Sequence, residues 1–186
     1  MATEISQQEF QEKHDQIVWD SIKGNPERMH RLVMGWNWDD GTSIFRKIVS
    51  DTNCELSTAL TILKLSELEY HLKPSVPAHA HDVADLVLQI LDKVADGFFT
   101  RRVIQYPNYE DGSGGHNPDM ERFYHQRFEE FENGELVRKI PIEYFVGFDG
   151  KSISAEPWIG LPDEVWDKLD QLSEDGHLDI GELVDV

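Results

Sequence analysis

Trp36-Asn37-Trp38-Asp39-Asp40-Gly41, followed by Thr52-Asn53-Cys54-Glu55-Leu56-Ser57-Thr58-Ala59-Leu60, is the stretch whose reading decides the fold. Asp39-Asp40-Gly41 is turn chemistry, because aspartate side chains bond backbone N–H groups two residues on. On its N-terminal side, Asn25-Pro26 opens a helix: Asn caps the free N–H groups, and Pro fits the first helical position. Met29, Leu32, Val33 and Trp36 then recur at helical spacing, with Gly35 as the stop. On its C-terminal side, Thr42 or Asp40 is the expected cap of a helix whose apolar face is Ile44, Phe45, Ile48 and Val49. Asn53 is the expected cap of a third, carrying Leu56, Ala59, Leu60, Leu63 and Leu68. Three short helices therefore meet at two indoles. Indoles so placed pack between helices, although Trp beside paired carboxylates also suits an interface that engages Arg or Lys.

Outward from this knot, Glu4 to Lys23 reads as a first helix, with Phe10, Ile17, Val18 and Ile22 on one face and Gly24 closing it. Lys73-Pro74-Ser75-Val76-Pro77 is a stiff break. His81 to Phe98 has the cleanest period in the chain, with Val83, Leu86, Val87, Ile90, Leu91, Val94 and Phe98 facing a core. Arg101 to Tyr106 is short and β-prone. The Gly-rich loop 107–115 that follows is the expected boundary. Asn117-Pro118 starts an aromatic helix closed by Asn133-Gly134, and Leu136 to Phe148 alternates loosely, which predicts one or two strands. Leu161-Pro162 opens a last helix, with Val165, Trp166, Leu169 and Leu172 inward and Asp163, Glu164, Asp167 and Asp170 outward. The expected fold is α+β and mostly α: an N-terminal helical bundle with a small β component after residue 100. It divides into a helical part, 1–106, and an acidic α+β part, 107–186, packed on it as one unit.

The Trp-Asn-Trp-Asp-Asp-Gly segment, with Asn-Cys-Glu-Leu-Ser-Thr-Ala-Leu at this distance, resembles an uncharacterised bacterial family, domain-of-unknown-function family 4274. The resemblance covers roughly residues 25–106. It implies a small helical domain of bacterial type and carries no catalytic residue with it.

Composition bounds the rest. A chain of 186 residues is long enough to bury roughly 70% of its unfolded surface, and its five Trp and nine Phe exclude a disordered chain. A lone cysteine, Cys54, excludes an internal disulfide framework and fits a reducing cytosol. The polar start Ala-Thr-Glu-Ile-Ser-Gln-Gln-Glu predicts no signal peptide, and no apolar run reaches the ~20 residues of a membrane span. A soluble cytoplasmic protein is expected. The net charge is −19, unevenly spread: residues 1–109 hold 16 acidic and 11 basic residues, −5, and residues 110–186 hold 20 and 6, −14. Such a field disfavours nucleic acid and anionic lipid, and it attracts basic protein surfaces.

Several constellations bear on chemistry. His79, His81 and Asp82 are metal-capable, yet their spacing does not share one helical face. His116, Asp119 and His125 would suit acid–base work, but no nucleophile motif accompanies them. Cys54 at a helix start would have a lowered thiol pKa, but most such cysteines are small core residues. Gln171 to Glu182 is similar to a twelve-residue EF-hand loop, with Asp175, Asp179 and the bidentate Glu182 as calcium ligands, but Gln171 stands where the first Asp belongs. Gly112-Ser113-Gly114-Gly115 lacks the Lys-Thr or Lys-Ser of a phosphate loop. The favoured expectation is a non-enzymatic protein without cofactor that binds a basic protein partner. In a bacterium, the concrete form is an immunity protein neutralising a cognate toxin. Asp163, Glu164, Asp167 and Asp170 are the expected contact, with Asp39 and Asp40 second. The alternatives are a metal-dependent enzyme using a His/Asp cluster and a calcium-responsive tail.

Overall fold

The computed structural model describes residues 5–73, 75–106, 138–154 and 161–175. The helices are α1 (Gln7–Ile22), α2 (Pro26–Gly35), α3 (Ser43–Ser50), α4 (Leu56–Leu65), α5 (Leu68–His71), α6 (His81–Ala95), α7 (Glu143–Val146) and α8 (Asp163–Asp175). Turns of 3-10 helix at Trp38–Asp40 and Ala78–Ala80 join them. Their starts and stops follow local chemistry. Ser6 Oγ accepts from Glu9 N–H at 3.1 Å and Asn25 Oδ1 from Arg28 N–H at 3.1 Å, so α1 and α2 are side-chain capped. Gly97, at φ +68°, ends α6: its N–H donates to Val94 O at 3.0 Å and the Phe98 N–H reaches back to Lys93 O at 2.9 Å, the Schellman arrangement.

α2, α3, α4 and α6 build one core, in which Met29, Leu32, Phe45, Ile48, Leu60, Leu63, Leu86 and Ile90 are fully buried. Phe45 is its hinge with the tryptophan knot. Its ring centroid lies 4.5 Å from that of Trp38 and 6.5 Å from that of Trp36. α1 closes one side on α2 and α3, and α8 packs along α1. No described helix is long and apolar enough to cross a membrane.

One expected cap is replaced. Asn53 sits in an Asx turn, its N–H and side-chain amide both on Asp51 Oδ1. Glu55 holds the cap position of α4 without a side-chain capping bond. Thr42 holds the cap position of α3 as expected, but its hydroxyl donates to Asp82 rather than to the helix start.

The α+β expectation is overturned: the described residues are helical and form no sheet. Among the described residues, extended pairing is confined to two isolated bridges, Ile104 with Lys151 and Tyr106 with Phe148. The reason lies in Glu55. Its Oε2 accepts the successive N–H groups of Val103 at 2.7 Å and Ile104 at 2.8 Å. A regular strand sends successive N–H groups to opposite edges, so a backbone that turns two of them onto one oxygen departs from the ladder there. Of the stretch expected as strands, residues 136 and 137 lie outside the described residues, and Glu143–Val146 is one turn of helix. Pro141 starts that turn, and Gly147, at φ +65°, ends it. Gly150 crosses the 103–105 backbone so closely that a Cβ there would stand 2.6 Å from Gln105 N and Val103 O. Only glycine permits that approach.

Candidate functional site

The acids expected to contact a partner are held by two different devices. On α8, Val165 and Leu169 are buried and Asp163, Glu164, Asp167 and Asp170 are exposed. This is the amphipathic period of a surface helix. None of the four forms an ion pair with a described residue, and Lys168 is the lone base of the helix. Asp39 and Asp40, also exposed, ride on the 3-10 turn that begins at Trp38. Gln11 Nε2 of α1 donates to the Asp40 carbonyl at 3.4 Å, so α1 touches the turn as well as α8. Both acidic groups, more than 120 residues apart in sequence, are thus supported by one helix.

The histidine cluster near α6 does not converge. His81 is fastened through Nε2 to the Val76 carbonyl at 3.1 Å, and His79 is exposed in the turn before it. Asp82 bonds the Thr42 hydroxyl and pairs with Arg46 Nη2 at 2.8 Å. The Thr42 bond first, then the Arg46 guanidinium, holds the Asp82 carboxyl below the usual carboxylate range. Among the described residues no three His, Cys, Asp or Glu side chains are grouped to hold a metal ion. His116, Asp119 and His125 lie outside the described residues, as do Asp179 and Glu182. Gln171 to Asp175 continue α8. There, the side chains of Gln171 and Ser173, two residues apart, diverge by more than half a turn, which does not suit the first two ligands of a calcium loop. Cys54 is buried in the core, and burial with the nearby Asp51 and Glu55 charges pushes its thiol pKa up, not down as a helix start alone would.

Three buried polar groups were given no role by the sequence. Asp15 takes the Ser43 hydroxyl and Gln11 Nε2, tying α1 to the start of α3. Glu55, besides its two backbone donors, receives Arg101 Nε at 3.3 Å. His30 is buried between α2 and α4, with Nδ1 3.0 Å from Thr58 Oγ1. Burial pulls its pKa down from 6.5 to about 4, partly opposed by the Glu55 charge. The imidazole is therefore neutral in the folded protein at pH 7. Below pH 6.5 the unfolded chain takes up a proton that the folded chain refuses until about pH 4, so stability falls as pH drops through that window. The expected loss from this group is about 3 kcal/mol. Denaturant melts of wild type and His30→Gln at pH 7 and pH 4.5 check it. The variant should lose less on acidification, and parallel losses would remove His30 as the cause.

His30 also borders a cleft of about 210 Å³. α2 supplies His30 and Met34 and α4 supplies Thr61, Lys64 and Leu65. Gln105, Tyr106 and Ile153 complete the lining, carried by the segments that Glu55 and Gly150 hold in place. Burial lowers the Lys64 pKa. Sequence reading gave no sign of this cleft, because its residues come from four separated stretches.

No curated protein and no solved structure matches the chain. The model of one family, described as a domain of unknown function, DUF4274, matches residues 24–95. Those residues run from Gly24, which closes α1, to the last residue of α6, and so contain the tryptophan knot and the α2, α3, α4 and α6 core. The Asn25–Ala95 portion of the expected resemblance is thereby matched, and residues 24–95 are the segment that the DUF4274 family model covers.

Proposed function

We propose that this is a binding protein that engages a basic protein partner, in concrete form an immunity protein that neutralises a cognate toxin in the bacterial cytosol. The observation that carries the reading is the face of α8. Four carboxylates stand exposed, none paired with a described residue, on a helix anchored by Val165 and Leu169. They belong to the part of the chain that holds −14 of the −19 charges. Unpaired charge on a rigid element attracts an opposite surface without first breaking its own ion pairs, and it speeds encounter. Asp39 and Asp40 extend the negative surface from the other element that α1 supports.

The test is a quadruple charge reversal, Asp163→Lys, Glu164→Lys, Asp167→Lys and Asp170→Lys, on side chains whose exposure leaves the core intact. Circular dichroism should match wild type. Association with the basic partner isolated from the native host should slow by tenfold or more, on the order of what electrostatic steering contributes. Wild-type association should itself slow between about 50 and 300 mM salt, as screening predicts. A folded variant that associates at the wild-type rate places the contact elsewhere.

A further inference from the structure

We propose that the cleft between α2, α4 and the 105–106 and 153 wall binds a small monocarboxylate with an apolar body. Its volume of about 210 Å³ is the first constraint. That is the room of about seven waters, and it lies below the ~300–1,000 Å³ of drug-sized sites. The ligand therefore has on the order of ten non-hydrogen atoms. Met34, Leu65 and Ile153 give the body an apolar surround.

Charge sets the other end. Among the described lining residues there is one ammonium, Lys64, and no carboxylate, in a chain of net charge −19. Locally, then, the cleft receives an anion that most of the surface repels. Lys64 is only partly exposed, so a carboxylate that meets its ammonium there is less screened by water than at the open surface. Lys64 also has an interaction within the molecule, and its three N–H donors accommodate a further acceptor. Gln105, also in the lining, has an amide that is a further donor. Buried His30 adds a polar neighbour without a charge.

The full chain, labelled with ¹⁵N, is titrated with 3-phenylpropionate and separately with 3-phenylpropionamide, which keeps the shape and removes the charge. Saturable shifts are expected at the amides of Lys64, Leu65 and Gln105. The acid should bind at least about tenfold tighter than the amide, the worth of one charge-assisted hydrogen bond. Lys64→Met should erase that preference while leaving the spectrum of the rest of the fold in place. Leu65→Trp, at a position 42% exposed and so tolerant of bulk, should weaken both ligands by obstructing the cleft. The proposal is overturned by the absence of saturation up to about 10 mM, a range that still detects millimolar binding. It is also overturned if acid and amide bind equally, or if either variant binds both as wild type does.

Discussion

Glu55→Ala should destabilise the protein by about 3–5 kcal/mol, an effect out of proportion to one side chain at a helix start. The magnitude comes from what is left behind. The carboxylate accepts two backbone N–H groups, of Val103 and Ile104, and the side chain as a whole is 1% exposed. Each donor orphaned away from water is worth about 1–3 kcal/mol, and the Arg101 contact is lost as well. Glu55→Gln keeps an acceptor oxygen of the same reach and should lose less than half as much. The check is urea unfolding of both variants, with hydrogen exchange at the Val103 and Ile104 amides. Fast exchange at those two amides in the alanine variant, with the α2–α4 core still protected, is the expected pattern. An alanine variant within about 1 kcal/mol of wild type would mean that water replaces the carboxylate, and that the bridges, the Leu56 N–H bond to the Arg101 carbonyl and the buried Ile104 and Tyr106 suffice to hold the 101–106 segment.

Glu55 also marks where the sequence stopped being legible. Periodicity located α6 because Val83, Leu86, Val87, Ile90 and Leu91 repeat on one face, and the only error was at its end, where Gly97 stops the helix before Phe98. The Asn25-Pro26 start of α2 was readable for the same reason: cap, proline and apolar stripe are all local. The 101–106 segment read as β-prone, and its side chains do suit a strand. What denies it a sheet is a carboxylate nearly fifty residues away, and residue types carry no record of that contact. The acids of α8 were legible as an exposed face, since charge opposite Val165 and Leu169 is a periodic signal. The shared support of α8 and the Asp39–Asp40 turn by α1 was not, because it depends on tertiary packing. The cleft was illegible on the same ground. His30, Lys64, Gln105 and Ile153 have no motif in common, and only folding makes them neighbours.

Phe45→Ala should cost about 3–5 kcal/mol, and it separates the two readings of the tryptophan knot. Phe45 is fully buried on α3, and both Trp36 and Trp38 lean on its ring. Truncation removes the transfer energy of the ring and leaves a cavity under two indoles that the surrounding helices only partly close. In a chain of this length a loss of that size lowers the melting temperature by roughly 10 °C. Trp36 and Trp38 should gain solvent contact, so the emission of the folded variant should shift to the red. Asp39→Ala and Asp40→Ala, exposed on the same turn, should change stability by no more than about 0.5 kcal/mol each. If the contrast holds, the indoles are architecture and the carboxylates beside them are free to serve a partner. If instead Phe45→Ala is mild while the aspartate changes are severe, the turn itself holds the knot together. Asp39 and Asp40 would then belong to the fold, and the negative surface offered to a basic partner would reduce to α8.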